Sequence, residues 1–258
     1  MYHIIDAPRA AAEDKYCCTP QQFEIQMQHL RRAGSRVVSL DTLLSRLDDV
    51  RQAQEDTVAV TFDDGFACTY QNALPILLKY QVPATVFMPS DRIGKSNDWM
   101  RSHAAAPRAL MSVEQLRQLV QAGVVIGSHS RTHPRLIELE PRRVVEEVRG
   151  SKASLEQIVG ASVDHFAYPY GLYSGMIRDE VEHAGYRAAC STRSGFNRAD
   201  VDRFLLRRIE VYGSDSLLRF RQKLKFGAND VSPLFSLRYY AGRLAARAGL
   251  ARSGSRDA

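Results

Sequence analysis

The chain has 258 residues, of which 45% are hydrophobic and 25% are charged, and its formal net charge is +6. These values are typical of a soluble protein with one large or two small globular domains. No run of 18 apolar residues occurs, which argues against a membrane-spanning helix. The four cysteines lack CxxC spacing, so they do not indicate a cysteine zinc site.

The positive charge is concentrated near the C-terminus. Residues 219–258 hold nine Lys and Arg against two Asp, whereas residues 1–218 hold 26 basic and 27 acidic residues. We recognise no nucleic-acid-binding motif of interleaved aromatic and basic residues in this segment, so we expect no nucleic-acid partner. The first residues, MYHIIDAPRA, lack the basic and apolar regions of a secretory signal, which predicts a cytoplasmic location.

Strand-like apolar runs alternate with helix-like segments along most of the chain. The predicted strands are VVSL (37–40), TVAVTF (57–62), ATVFMP (84–89), VVIGSHS (124–130), DHFAYPYG (164–171), YRAACST (186–192) and FLLRRIEVYG (204–213). The predicted helices are DTLLSRLDDV (41–50), CTYQNALPILLKY (68–80), SVEQLRQLVQAG (112–123), PRRVVEEVRGSKASLEQIVG (141–160) and SGMIRDEVEHAG (174–185), the third beginning with a capping box of Ser112 and Gln115. This alternation predicts an α/β fold with a parallel sheet covered by helices, and both a barrel and an open sheet are compatible with it.

Polar residues follow three of the predicted strands. Asp63 and Asp64 end one strand, His129 ends another, and Tyr170 ends a third. The carboxyl ends of parallel strands lie at one edge of the sheet, where the catalytic groups of α/β proteins gather. A turn at the strand end would account for the Asp64-Gly65 pair, but it would not account for the second carboxylate, Asp63.

A pair of histidines in GSHSRTHPRL suggests a metal site. His129 and His133 are four residues apart, and one helical turn would bring both imidazoles to the same side. With Asp64 they make a three-ligand site of the kind found in zinc hydrolases. Ser130 stands where an HExxH protease needs Glu, and an iron oxygenase is disfavoured by the α/β pattern. Two surface histidines in a polar turn remain the alternative.

Three motifs together resemble those of polysaccharide deacetylases, carbohydrate esterase family four. They are TFDDG (61–65), HSRTHP (129–134) and FAYPYG (166–171). The resemblance implies a distorted (β/α) barrel with about seven parallel strands, formed by residues 1–225. Residues 226–258 lie beyond it, and their own pattern predicts a basic C-terminal helical tail. The resemblance further implies metal-assisted removal of N-acetyl groups, or less often O-acetyl groups, from an acetylated glycan.

The resemblance also implies roles for individual residues. Asp64, His129 and His133 would bind a divalent metal ion, Zn²⁺ or alternatively Co²⁺ or Ni²⁺. Asp63 would be the general base, and the backbone N–H of Tyr170 would stabilise the oxyanion. An alternative is a catalytically weak glycan-binding module that keeps the fold and the metal.

Two departures from the family pattern point to a subgroup acting on poly-N-acetylglucosamine and related exopolysaccharides. Ala167 stands where the family often has Arg. The family also often has a histidine that acts as general acid after a late strand, but FLLRRIEVYG has none, so the general acid is unassigned. Side-chain alternation in that predicted strand points Arg208 inward, where it would orient Asp63 in place of the missing Arg. A solvated arginine at a strand end is the alternative.

Two further features have open interpretations. Trp99 could stack on a sugar ring or fill a hydrophobic gap. In the tail, Leu237, Tyr240 and Leu244 recur at helical spacing with arginines between them. This pattern fits a basic helix that contacts an anionic membrane peripherally or binds an acidic glycan, and it also fits a terminal helix docked on the barrel. We expect a monomer.

Overall fold

A computed structural model describes residues 1–49, 56–99 and 107–232. The strands are β1 (Arg36–Val37), β2 (Thr57–Val58), β3 (Val60–Phe62), β4 (Ala84–Met88), β5 (Val125–Ser128), β6 (His165–Ala167) and β7 (Ala188–Cys190). The helices are α1 (Pro20–Arg32), α2 (Leu40–Asp48), α3 (Leu74–Tyr80), α4 (Val113–Gln121), α5 (Pro141–Val159), α6 (Gly175–His183) and α7 (Leu217–Phe226). β1 and β2 form a small parallel sheet, and the other five strands form a parallel sheet in the order β3-β4-β5-β6-β7.

The prediction of a distorted (β/α) barrel is confirmed, but the main sheet has five strands rather than about seven. The segment predicted as the last strand is not one. Arg203–Leu205 form a 3-10 turn, and Leu206 then makes a single parallel bridge to Cys190. A strand needs a repeated ladder of hydrogen bonds, and this segment forms only isolated ones.

Two irregular segments nevertheless connect the two edges of the sheet. After Leu206 pairs with β7, the N–H of Val211 donates to the carbonyl of Met1 over 3.0 Å. Tyr2 then pairs with Phe62 of β3, its N–H donating to Thr61 over 2.8 Å. The ring is therefore closed by chain segments that make a few hydrogen bonds at each junction rather than a repeated ladder, which accounts for the missing strands.

Local signals explain where the predicted helices begin and end. The capping box of Ser112 and Gln115 is present at the start of α4, as predicted. Ser39, predicted to lie in a strand, instead accepts a hydrogen bond from the Thr42 N–H and caps α2. α5 begins with Pro141 and is followed by Gly160, which adopts the left-handed conformation common just after helix ends.

The sheet is apolar on both faces, as expected for parallel strands covered by helices. On one face, Phe87, Ala167, Ala188 and Cys190 form a cluster with Leu44 and other leucines of α2. The residues that alternate with them along the same strands lie on the opposite face, where they belong to the larger core that the remaining helices cover. On the first face β6 and β7 contribute the small side chains of Ala167, Ala188 and Cys190, and β4 contributes the Phe87 ring.

A buried ion cluster joins the start of the chain to the loop after β4. The Arg108 guanidinium donates to both carboxylate oxygens of Glu13, over 2.9 and 2.7 Å, and to Asp6 over 2.8 Å. The Arg108 backbone N–H donates to the Asn97 side chain over 2.6 Å. Glu13 is completely buried and Arg108 is 3% exposed. The cluster therefore fixes the N-terminal segment against the loop that carries Trp99.

No described helix has the length and hydropathy of a membrane span. Residues 233–258, which include most of the predicted tail helix, lie outside the described residues. The predicted membrane contact of the tail therefore stays a prediction. Residue 226, where the tail was predicted to begin, is the last residue of α7.

We expect Arg108→Met to lower the free energy of unfolding by about 3–5 kcal/mol, because the buried Glu13 carboxylate loses its charged partner. Urea denaturation at pH 7 measures this change. The matched control is Arg143→Met, since Arg143 pairs with Glu146 on the exposed surface of α5. That variant should lose less than about 1 kcal/mol. Equal losses in both variants would contradict the importance of the buried cluster.

Candidate functional site

The structure brings the residues predicted from strand ends to one edge of the sheet. Asp63 and Asp64 directly follow β3, and His129 directly follows β5. His133 lies four residues further along, and Tyr170 follows β6 in a short 3-10 turn. The two aspartates and the two histidines are all at most 7% exposed. They form a buried polar site at the end of an apolar sheet.

The backbone turns sharply at Asp64 and Gly65, directly after Asp63. The Asp63 N–H still donates to the carbonyl of Tyr2 over 2.9 Å, continuing the pairing of β3. Asp64 and Gly65 then adopt left-handed conformations, with φ of 70° and 68°. A Cβ atom on Gly65 would also lie 2.0 Å from the Met88 sulfur, so only glycine fits there. Because the turn begins at Asp64, the two carboxylates reach different partners.

Asp64, His129 and His133 converge on one point. The Asp64 Oδ1 lies 3.4 Å from the His129 Nε2 and 3.2 Å from the His133 Nε2. One potential ligand atom from each residue lies within 4.8 Å of the others, and no other group of three such residues occurs in the described ranges. One carboxylate and two imidazoles are a donor set that suits zinc and related transition metals. The arrangement can therefore hold a metal ion.

Hydrogen bonding and burial set the protonation of this group. The His129 Nδ1 lies 2.7 Å from the Ala167 carbonyl, which can only accept, so Nδ1 carries a proton and Nε2 faces Asp64. Burial acts to raise the pKa of Asp64, but hydrogen bonds from the two histidines hold it well below its ordinary value. Burial lowers the pKa of His133, which favours the neutral imidazole that metals bind.

The two histidines do not converge through a helical turn, as the sequence had suggested. The residues between them form an irregular loop in which Ser130 and His133 have φ of 62° and 64°. Of the five non-glycine residues with positive φ in the described ranges, four lie at this site, namely Asp64, Ser130, His133 and Tyr170. Such conformations cost about 1–3 kcal/mol each and commonly mark functional sites.

Asp63 has a separate partner, Arg208. The guanidinium donates to both carboxylate oxygens over 2.6 and 2.7 Å, and both side chains are buried. The Arg208 Nε donates to the Ser191 carbonyl over 2.9 Å, and the guanidinium carbon lies 5.5 Å from the centre of the Phe87 ring. Burial acts to raise the pKa of Asp63, but the charge of Arg208 lowers it below its ordinary value. The structure thus places Arg208 inside the barrel and against Asp63.

Two aromatic rings flank His133. Trp99 stacks on the imidazole, with 4.4 Å between ring centres and 21° between planes. The Tyr170 ring meets it edge-on at 4.7 Å and is 44% exposed. Trp99 therefore covers His133, one of the three residues that could bind a metal. The face of the Trp99 ring that packs on His133 is not free to stack on a sugar, which favours the packing interpretation for that face. Tyr168 is completely buried and donates its hydroxyl to the Phe204 carbonyl over 2.9 Å.

Sequence reasoning gave no role to His3, which the structure brings to the site. Tyr2 pairs with Phe62, so His3 stands in register with Asp63. Burial and the hydrogen-bonded partners have the larger effects on the pKa values of Asp63 and Asp64. The charge of a protonated His3 is a smaller cause, and it lowers both pKa values. Its Nδ1 is buried and has no hydrogen-bond partner among the described residues. The position of His3 at the site could have been predicted only if residues 1–3 had been expected to pair with β3.

Comparison with known proteins gives consistent matches to one family. The family described as polysaccharide deacetylase matches residues 50–189. A Bacillus subtilis protein named putative polysaccharide deacetylase YxkH is 28% identical over 211 residues, which are 82% of this chain and 70% of that protein. A poly-beta-1,6-N-acetyl-D-glucosamine N-deacetylase of Staphylococcus epidermidis is 23% identical over 206 residues, covering 76% and 68% of the two chains.

Solved structures share the fold. The Streptococcus pyogenes deacetylase PplD aligns with a TM-score of 0.74 and 24% identity over 87% of this chain and 96% of its own. IcaB from Ammonifex degensii aligns with a TM-score of 0.74 and 23% identity over 88% and 94%. The polysaccharide deacetylase BC0361 from Bacillus cereus gives 0.72 and 25% over 87% and 67%. With the family match covering more than half of its length, the chain belongs to the polysaccharide deacetylase family.

Proposed function

We propose that this protein is a metal-dependent hydrolase that removes N-acetyl groups from an exopolysaccharide containing N-acetylglucosamine. The observation that carries the proposal is the separation of two adjacent buried aspartates, one beside a pair of histidines and the other beside an arginine. The substrate class is supported by relatives named poly-beta-1,6-N-acetyl-D-glucosamine N-deacetylase.

The metal would be held by Asp64, His129 and His133. Zinc suits this donor set best, and cobalt or nickel bind the same ligands. When bound, such an ion supplies Lewis acidity, which acidifies water and polarises the acetyl carbonyl. Three protein ligands leave positions open for water and substrate, as catalytic rather than structural zinc sites do.

Asp63 is the general base in this proposal. Arg208 keeps its carboxylate ionised inside the protein, so it can accept a proton from water at neutral pH. Arg208 also fixes the orientation of the carboxylate through two hydrogen bonds. This arginine takes the place of the Arg that the family often has at the position of Ala167, and it acts as a positioning residue.

His3 is the proton donor that we propose for the departing amine. It stands in register with Asp63, and its Nδ1 lacks a partner among the described residues. Histidine exchanges protons near neutral pH, as a general acid must. The backbone N–H of Tyr170 would donate to the oxyanion, and the left-handed conformation of this residue, with φ of 59°, sets the direction of that N–H.

A glycan-binding module with weak catalysis is the alternative function. Binding requires the fold and a surface that fits the glycan, but it has no use for a buried, ionised Asp63 beside Arg208. The deciding experiment measures acetate release from β-1,6-linked and β-1,4-linked N-acetylglucosamine oligomers, with zinc and with a chelator. We expect release from the β-1,6-linked oligomers, lost with the chelator and restored by zinc. Binding of these oligomers without acetate release would support the alternative.

The same substitution at the two aspartates should have two different effects. We expect Asp63→Asn to retain zinc while kcat falls by about 10²–10⁴-fold, the usual scale for loss of a general base. We expect Asp64→Asn to lose zinc as well as activity, because it removes one of three protein ligands. Elemental analysis of the purified variants and kinetic assays measure both effects. Wild-type turnover in Asp63→Asn, or stoichiometric zinc in Asp64→Asn, would contradict the assignment.

Removing Arg208 should move the acid limb of the pH–rate profile to higher pH. Arg208 lowers the pKa of Asp63, and without it burial acts to raise that pKa. A base with a higher pKa loses activity earlier as the pH falls, so kcat/KM of Arg208→Met should decline at higher pH than in the wild type. Arg207→Met is the matched control, since Arg207 is the exposed neighbour. If the pH profiles of kcat/KM for Arg208→Met and Arg207→Met coincide, Arg208 has a structural role alone.

A further inference from the structure

The loop that carries both histidines depends on partners outside itself. In the segment His129–His133, the one internal hydrogen bond runs from the His133 N–H to the Ser130 hydroxyl over 3.1 Å. The other hydrogen bonds described for its backbone reach β4, α5 and the turn after β4. An irregular loop with two left-handed residues is not stable by itself, so these outside contacts determine its shape.

Glu147 on α5 supplies three hydrogen bonds to this loop, two of them to its backbone. Its Oε2 accepts the N–H groups of Arg131 and Thr132 over 2.8 and 2.9 Å. Its Oε1 accepts the Thr132 hydroxyl over 2.7 Å. The side chain is 3% exposed. One buried carboxylate therefore satisfies three donors in the two residues that immediately precede His133.

The same face of α5 continues the contact one turn later. The Ser151 hydroxyl donates to the Ser130 carbonyl over 2.8 Å, so the Ser128 hydroxyl, 2.7 Å away, donates to Ser151. Gly150 lies beneath the Arg131 side chain, and a Cβ atom there would come within 2.8 Å of the Arg131 Cδ. Glu147, Gly150 and Ser151 are spaced i, i+3 and i+4, so they lie on one side of the helix.

The opposite side of the loop rests on the turn after β4. The Ser90 N–H donates to the Ser130 carbonyl over 3.1 Å, and the Asp91 N–H donates to the Arg131 carbonyl over 2.9 Å. The Asp91 carboxylate also pairs with the Arg131 guanidinium at 2.8 Å. The loop is thus held between this turn and α5, and the contacts from α5 are the ones made by buried side chains.

We propose that Glu147 is a positioning residue for the metal site, which fixes the loop so that the imidazoles of His129 and His133 meet Asp64. The proposal rests on the proposed metal-binding role of these three residues. Glu147 touches neither histidine side chain in the described contacts, so it acts through the backbone between them. Residues that orient metal ligands typically change metal affinity by about 10–100-fold when they are removed.

The experiment compares three variants of the full chain. Glu147→Ala leaves three donors without their acceptor. Glu147→Gln keeps the shape, because its carbonyl can accept the two N–H groups while its amide donates to the Thr132 hydroxyl. Glu146→Ala is the matched control, since Glu146 is exposed on the same helix and pairs with Arg143. Zinc affinity is measured by competition with a chromogenic chelator, and cobalt-loaded protein is measured by visible absorption.

We expect the zinc Kd of Glu147→Ala to rise by about 10–100-fold, with an altered cobalt spectrum. Glu147→Gln should recover most of the affinity, and Glu146→Ala should match the wild type. If Glu147→Ala does not fold, Glu147→Asp, which shortens the side chain by one methylene, should give a smaller rise in Kd. Wild-type zinc affinity and cobalt spectra in the folded variant would overturn the positioning role. Failure of the wild-type chain to bind zinc would instead refute the metal site itself.

Discussion

The structure of the site follows from the burial of two adjacent carboxylates. Asp63 and Asp64 are 3% and 7% exposed, and two like charges cannot stay ionised side by side without partners. The left-handed turn at Asp64 sends the carboxylates to different partners, the Arg208 guanidinium and the two imidazoles. A buried charge is tolerated only when it is paired and hydrogen-bonded, so each partner is as necessary to the fold as to the proposed chemistry. The separation of the two carboxylates is therefore built into the backbone.

The rest of the fold holds these partners in position. Arg208 comes from a segment with one bridge to β7, and inside the barrel its guanidinium pairs with Asp63 and packs against Phe87. The histidine loop has no regular structure and lies between α5 and the turn after β4. His3 reaches the site because Tyr2 pairs with β3. The irregular segments carry the polar groups, and the regular sheet and helices fix where those segments run.

Local patterns in the sequence predicted much of this arrangement. Apolar runs, caps and helical periodicity located most strands and helices, and the rule for parallel strand ends brought Asp63, Asp64 and His129 together. Features that depend on distant contacts were predicted poorly. The segment after Arg203 looks like a strand but forms only isolated bridges, and His129 and His133 converge through left-handed residues rather than a helical turn. Side-chain alternation suggested an inward Arg208 although the segment is not a regular strand.

The sequence did not predict the positions of His3 and Glu147, because each depends on a contact across the fold. His3 lies at the site through the register of Tyr2 with β3, and Glu147 accepts backbone donors on another segment. The central claim is that one aspartate binds the metal and the other does not. Anomalous diffraction at the zinc absorption edge, from crystals of the zinc-loaded protein, tests it directly. The account predicts one zinc ion bound by Asp64, His129 and His133, with Asp63 still paired to Arg208. Zinc coordinated by Asp63, or bound away from these histidines, would contradict it.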